Sequence, residues 1–284
     1  MTRALVLGGG GVAGIAWETG LLLGLLESGV DVTDADVVIG TSAGSAVAAQ
    51  ITTGSSLPDL YQRQVSGEAA KHEIHAEFDA ESMMATFGKI VAKLVPGVVM
   101  NRAIGEYALH ASTVPEARRR AVIAGRLPVH EWPERELVIT SVDARAGKPR
   151  NFRRDDGVDL VDAVAASCAV PGIWPPVTIQ GRRYIDGGMR STSNADLAAG
   201  YDDILVISPM PELPMVAASV KRAIEHLSEG SCVVTIQADA DSLAAMGSNP
   251  LDPATAKPAA EAGRAQAAAH ATEVMALWKG DAGG

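Results

Sequence analysis

Apolar and polar residues follow two alternating rhythms along the 284 residues. Short β-branched runs read as strands buried on both faces. They are Ala4-Leu5-Val6-Leu7, Asp36-Val37-Val38-Ile39, Glu136-Leu137-Val138-Ile139-Thr140-Ser141, Asp202-Asp203-Ile204-Leu205-Val206-Ile207 and Cys232-Val233-Val234-Thr235-Ile236. Between them the apolar spacing becomes helical. Ile15, Leu22, Leu23 and Leu26 share a face of a helix that starts at Val12 and stops at Gly29. Leu160–Ala169, Met215–Leu227 and the alanine-rich Thr255–Trp278 read as further helices, with a disordered Gly280–Gly284 at the end. Two hairpins are predicted. One joins the strand at 136–141 to Asn151-Phe152-Arg153, and the other joins Val177-Thr178-Ile179 to Arg183-Tyr184-Ile185 across Gln180-Gly181. Strands alternating with helices predict an α/β fold.

Residues 57–130 break this rhythm. Pro58–Val65 and Glu81–Val95 favour helix, Pro96-Gly97 and Pro115 interrupt it, and no strand pattern emerges. Met83, Met84, Phe87, Val98, Val99 and Met100 give the stretch adaptable apolar surface. It reads as a helical insertion over the sheet, forming a lid or one wall of an apolar cleft. With no internal repeat, the expectation is one domain, 1–284, carrying the insertion at about 57–130 and a helical tail at about 254–279.

Composition narrows the function classes. A net charge of −10, with no basic run beyond Arg118-Arg119-Arg120, argues against nucleic-acid binding and against docking to anionic lipid by charge. Cys168 and Cys232 make no disulfide framework, and no Cys/His cluster suggests a metal. No apolar stretch reaches the ~18 residues of a membrane span, and the N-terminus lacks the pattern of a secretion signal. A cytoplasmic protein is expected, with any membrane contact peripheral and driven by apolar surface.

The chain's candidate chemistry centres on Gly40-Thr41-Ser42-Ala43-Gly44. A G-x-S-x-G between a strand and a helix of small residues is the setting of a nucleophile elbow, with the serine at a strained tip. The glycines at 40 and 44 let strand and helix converge. An earlier glycine loop, Gly9-Gly10-Gly11-Val12-Ala13-Gly14, follows the first strand and opens a helix. Its free amides suit either a pyrophosphate, with Asp31, Asp34 or Asp36 for a ribose, or an oxyanion facing the serine. A serine also needs a base. None of His72, His75, His110, His130, His226 and His270 ends a strand beside glycine, whereas Asp186-Gly187-Gly188 does. Burial beside the serine would raise the aspartate's pKa and make it a usable base. A conventional α/β-hydrolase triad of Ser42, Asp186 and His226 or His270 has a legal chain order, but residue 42 leaves room for fewer strands than that fold places before its elbow.

Four stretches in order resemble the bacterial branch of the patatin-like phospholipase family. They are the glycine loop, the elbow, Ala166-Ser167-Cys168-Ala169-Val170-Pro171-Gly172-Ile173-Trp174-Pro175-Pro176, and Asp186-Gly187-Gly188. The resemblance covers residues 4 to about 208 and implies a three-layer α/β/α sandwich with a mostly parallel sheet. It also implies a lipid acyl hydrolase without metal or cofactor, acting on a phospholipid, lysophospholipid, glyceride or other ester. Carried over, Ser42 is the nucleophile and Asp186 the base, while amides at Gly10, Gly11, Val12 and Ala43 form the oxyanion hole. Two positions depart from the family. Ala13 stands where its loop carries Arg or Lys, and Asn194 is followed by Ala195 after a longer Asp-Gly-Gly turn. With nucleophile, base and glycines present, the chain reads as an active variant, the alternative being a lipid-binding protein without catalysis. Trp174 is expected in the core. The stretches Met83–Val99 and Ile173–Pro176 are expected to take the acyl chain.

Overall fold

The computed structural model describes residues 1–76, 80–92, 97–212 and 217–279. Strand β1 (Arg3–Leu7) lies inside the sheet because both its faces are apolar. Leu5 and Leu7 meet one helical layer, and Ala4 and Val6 meet the other. Its parallel neighbours are β2 (Val37–Gly40) and β7 (Asp203–Ser208). Beyond these lie β3 (Glu136–Asp143) on one side and β8 (Cys232–Gln237) on the other, so the order β3-β2-β1-β7-β8 is parallel throughout. On β3 the sheet turns antiparallel, pairing with β4 (Pro149–Phe152) and β6 (Arg182–Asp186), and β6 pairs with β5 (Val177–Ile179). Both hairpins fall where the sequence places them. The strand at 232–236 does not fit the expected burial. β8 is an edge strand with Cys232 and Gln237 exposed, because the sheet ends there.

One layer holds α1 (Gly11–Glu27), α2 (Ala43–Thr52), α7 (Leu160–Ser167) and α10 (Ala256–Lys279). Small residues bring α1 and α10 together: a side chain at Gly20 would enter the Ala260 carbonyl, and one at Gly263 the Trp17 carbonyl. The short α9 (Ala240–Met246) packs against α10. Leu227 of α8 (Ala217–Leu227) and the turn at Ala195–Ala198 cover the opposite face. The sheet thus carries helices on both faces, a three-layer sandwich.

The helices of 57–130 divide between these faces. Leu57 and Leu60 of α3 (Leu57–Val65) and Ile123 of α6 (Glu116–Arg126) join the α1 layer. Phe87 of α4 (Ala80–Val91) and Met100 and Ile104 of α5 (Val98–His110) pack on Val142 and Ile185. Val98 and Val99 remain exposed. The end of the Glu81–Val95 stretch, Pro96, the Met215 end of its helix and Gly280–Gly284 lie outside the described residues, as does the side chain of Met84.

Candidate active site

Register brings the two motifs together. β3 carries Ile139 opposite Gly40, at the end of β2, and Ser141 opposite Asp186, at the end of β6. Because β6 runs antiparallel, its last residue meets the chain leaving β2. The Ser42 hydroxyl lies close enough to the Asp186 carboxylate there to draw its pKa down, against burial. Ser42 is 8% exposed and Asp186 2% exposed.

The backbone at Ser42 has φ 51° and ψ −113°, a region that non-glycine residues avoid. Sheet and helix hold it there. The Ser42 amide donates to Ser167 Oγ at 2.8 Å. Its carbonyl accepts from Ser45 Oγ at 2.6 Å and Cys168 Sγ at 3.2 Å. Glycine at 44 is obligatory by space, because a Cβ would overlap the Leu7 carbonyl of β1; at Gly40 it would lie 2.6 Å from Ser45 Cα. Ser167 and Cys168 belong to a stretch that the sequence flagged without assigning a role. Burial pushes the Cys168 thiol up, so it serves the elbow as a neutral donor.

Asp186 sits in an equally fixed turn. Its amide donates to the Ala169 carbonyl at 3.0 Å, and its Oδ1 accepts from the Gly188 amide at 2.7 Å. Burial lifts the carboxyl from 3.8 to about 7, against the opposing pull of the Gly188 amide and the Ser42 hydroxyl. Asn194, 1% exposed, ties the neighbouring loops. Its Nδ2 donates to Thr41 Oγ1 at 3.0 Å and to the Ser191 carbonyl at 2.7 Å, while Oδ1 accepts from Arg190 at 2.7 Å.

The glycine loop runs beside the elbow. A Cβ at Gly9 would stand 3.5 Å from Ser42 Cβ, and the Gly9 amide donates to the Thr192 carbonyl. Ala13 and Gly14 donate to the carbonyls of Pro250 and Gly10. Among the described residues none accepts from the amides of Gly10, Gly11, Val12 or Ala43. These donors begin α1 and α2, where the helix dipole favours negative charge. Pyrophosphate fits the loop poorly, since Pro250 and Leu251 press on Gly11. Asp36 precedes β2, at the far end of the sheet, where it caps the Arg3 amide, and Asp34 bonds Trp278.

About 10 Å³ of space remains at Ser42, room for one water, walled by Val12, Arg119, Arg126, Cys168, Val170, Trp174 and Leu251. Among the described residues no histidine and none of Met83–Val99 is in this wall. His226 instead pairs with Glu229, and His270 approaches Gln266. Trp174 is buried, and its ring also faces the site beneath the Arg119 guanidinium, 3.9 Å from the ring centroid. Sequence reading missed Arg119 and Arg126, since a basic run on a helix usually marks a solvated face.

A family model described as patatin-like phospholipase matches residues 5–199. The solved structure of VipD from Legionella pneumophila is similar at 14% identity, covering 94% of this chain and 66% of that one, with a TM-score of 0.45. The type III effector protein ExoU is similar at 16% identity, with 96% of this chain and 53% of that one covered and a TM-score of 0.43. This chain spans just under two thirds of the first structure and about half of the second.

Proposed function

This chain belongs to the patatin-like phospholipase family, and from that premise we propose that it is a serine acyl hydrolase of lipid carboxylic esters. Ser42 is the nucleophile and Asp186 the base. One observation carries the reading: a strained Ser42, its backbone held by hydrogen bonds, stands beside a buried carboxyl that burial lifts to about 7.

The reaction proceeds in two acyl transfers. Ionised Asp186 takes the Ser42 proton as Oγ attacks the ester carbonyl. Negative charge collects on the carbonyl oxygen, and the amides of Gly10, Gly11, Val12 and Ala43 are the donors placed to receive it. Collapse breaks the C–O bond, and the departing alkoxide takes the proton from Asp186. Water then gives a proton to Asp186 and attacks the acyl-enzyme. Release of the fatty acid returns that proton to Ser42. No step calls on a metal or cofactor. Among the described residues no helix is long and apolar enough to cross a membrane, so contact with a lipid surface is peripheral in this reading. The whole chain, 1–284, acts as one hydrolase domain, because α10 packs on α1, the helix that the glycine loop opens.

Intact-mass analysis after fluorophosphonate treatment tests this. One adduct on the wild type, absent from both Ser42→Ala and Asp186→Asn, is the expected result. An adduct that persists on Ser42→Ala refutes the assignment. No adduct on the wild type moves the reading to a lipid-binding protein without catalysis.

A further inference from the structure

The wall beside Ser42 buries two guanidiniums and one carboxylate. Glu73 binds Arg126 in a fork, Nε to Oε1 at 2.6 Å and Nη2 to Oε2 at 2.8 Å. Arg119 Nη1 stands 3.6 Å from the same Oε2, an ion pair beyond hydrogen-bond reach. The side chains of Arg119 and Glu73 are each 5% exposed and that of Arg126 is 11% exposed. Nε and Nη1 of Arg119 have no hydrogen-bond partner among the described residues. Among the described residues the cluster is therefore one negative charge short, in a place where an unmatched charge is costly. Burial brings Arg119 down to about 10, the Arg126 charge adding to the fall and Glu73 opposing it. On Glu73, burial works upward but the two arginines prevail and hold its carboxyl low.

Arg126 and Val12 also border a second cavity of about 250 Å³, where Gln50, Arg63, Gln64 and Glu68 share the wall with Ile15, Leu60 and Val122. Arg126 thus stands between the Ser42 space and a larger chamber of mixed lining. In a glycerophospholipid the phosphoryl group holds the same place, between the acyl ester and the head group. Guanidinium forks match its oxygens. Stacking on Trp174 fixes the plane of Arg119 in advance.

We propose that Arg119 and Arg126 form an anion subsite beside Ser42 for the phosphoryl group of a glycerophospholipid substrate, with the larger cavity beyond Arg126 receiving the head group. This rests on the hydrolase reading above. The substrate supplies the missing negative charge, and Glu73 holds Arg126 in position until it does. A neutral glyceride leaves Arg119 unmatched, so the subsite selects by charge.

The test uses the full chain and two substrates that differ only in the phosphoryl group, 1-oleoyl-glycerol 3-phosphate and 1-oleoylglycerol. The ratio of their kcat/KM values is expected to exceed about 10, and Arg119→Gln to reduce it about tenfold, with Arg119→Lys between. A wild-type ratio near one overturns the proposal, and that measurement stands even if Arg119→Gln fails to fold. Calorimetry on Ser42→Ala gives a reading free of turnover. Glycerol 3-phosphate is expected to bind more tightly than inorganic phosphate or glycerol, and to weaken about tenfold when Arg119→Gln is added. Equal binding of inorganic phosphate assigns the site to the free ion and overturns the substrate role, as does indifference to Arg119→Gln. Calorimetric binding without hydrolysis of either ester refutes the hydrolase reading while the anion subsite stands.

Discussion

Replacing Asp186 with asparagine tests the proposed base through stability as well as rate. Burial raises this carboxyl from 3.8 to about 7. Between those values the folded protein holds a proton that the unfolded chain has released, so stability falls as pH rises through the window. At 1.36 kcal/mol per pH unit, the ionised carboxylate costs at most about 4 kcal/mol once pH exceeds the folded value. Asp186→Asn removes that charge while Oδ1 still accepts from the Gly188 amide and Nδ2 faces the Ser42 hydroxyl. The variant is therefore expected to be inactive, and more stable than the wild type near pH 8 by about 1–4 kcal/mol. The gain should shrink to nothing by about pH 4. Guanidinium denaturation of both proteins at several pH values measures it. Glu18, another buried carboxyl whose pKa burial raises, is common to both and cancels in the difference. A stability difference that stays flat from about pH 5 to about pH 8 would refute the buried-base account. The same carboxylate must be ionised to act, so kcat/KM of the wild type should climb through about pH 7 and then level off.

Two further substitutions probe how the elbow is held. Asn194→Ala removes donors to Thr41 and Ser191 and an acceptor for Arg190. It is expected to cost about 2–4 kcal/mol and to lower kcat, and a loss of unfolding free energy in urea under about 0.5 kcal/mol would show that the network is incidental. Ser42→Gly relieves the positive φ, whereas Ser42→Ala keeps it. Thermal unfolding should therefore find the glycine variant more stable than the alanine variant by about 1 kcal/mol, and the reverse order would mean that the turn carries no strain.

The fold was legible wherever local pattern and tertiary environment agree. Alternation of Ala4 and Val6 with Leu5 and Leu7, and the hairpin signal at Gln180-Gly181, correspond directly to β1 and to the β5–β6 pair. The edge position of β8 escaped, because Val233 and Val234 look the same in a central strand and at an edge; only the order of strands separates the two cases. At the candidate site, motifs singled out Ser42 and Asp186, which the fold brings together, since each belongs to a glycine turn with a steric rationale. Arg119 and Arg126 were invisible. They enter from α6, a polar helix whose pattern predicts solvent, and only packing against Glu73 and Trp174 buries them. Sequence spacing carries no trace of a contact between residues 73, 119, 126 and 174.

The departure at Ala13 has a physical counterpart in the C-terminal part of the chain, beyond the stretch that matches the family. Ala13 has no exposed surface, and its amide donates to the Pro250 carbonyl at 2.9 Å. Pro250 and Leu251 also fill the space that a side chain at Gly11 would need. Asn249 braces this turn, its Oδ1 accepting from the Leu251 amide at 3.0 Å and its Nδ2 donating to the Ala76 carbonyl at 3.1 Å. The helix that follows, α10, packs along α1, and α1 is the continuation of the glycine loop. Loop, α1, α10 and the Pro250 turn therefore close a ring of contacts that fixes the free amides without a cation in the loop. The two arginines of α6 place positive charge in the wall of the same space. Where a basic residue at position 13 would unite bracing and charge in one side chain, this protein separates them. Leu251 and Arg119 both line the space beside Ser42, so neither the insertion nor the C-terminal segment can be exchanged without rebuilding this wall.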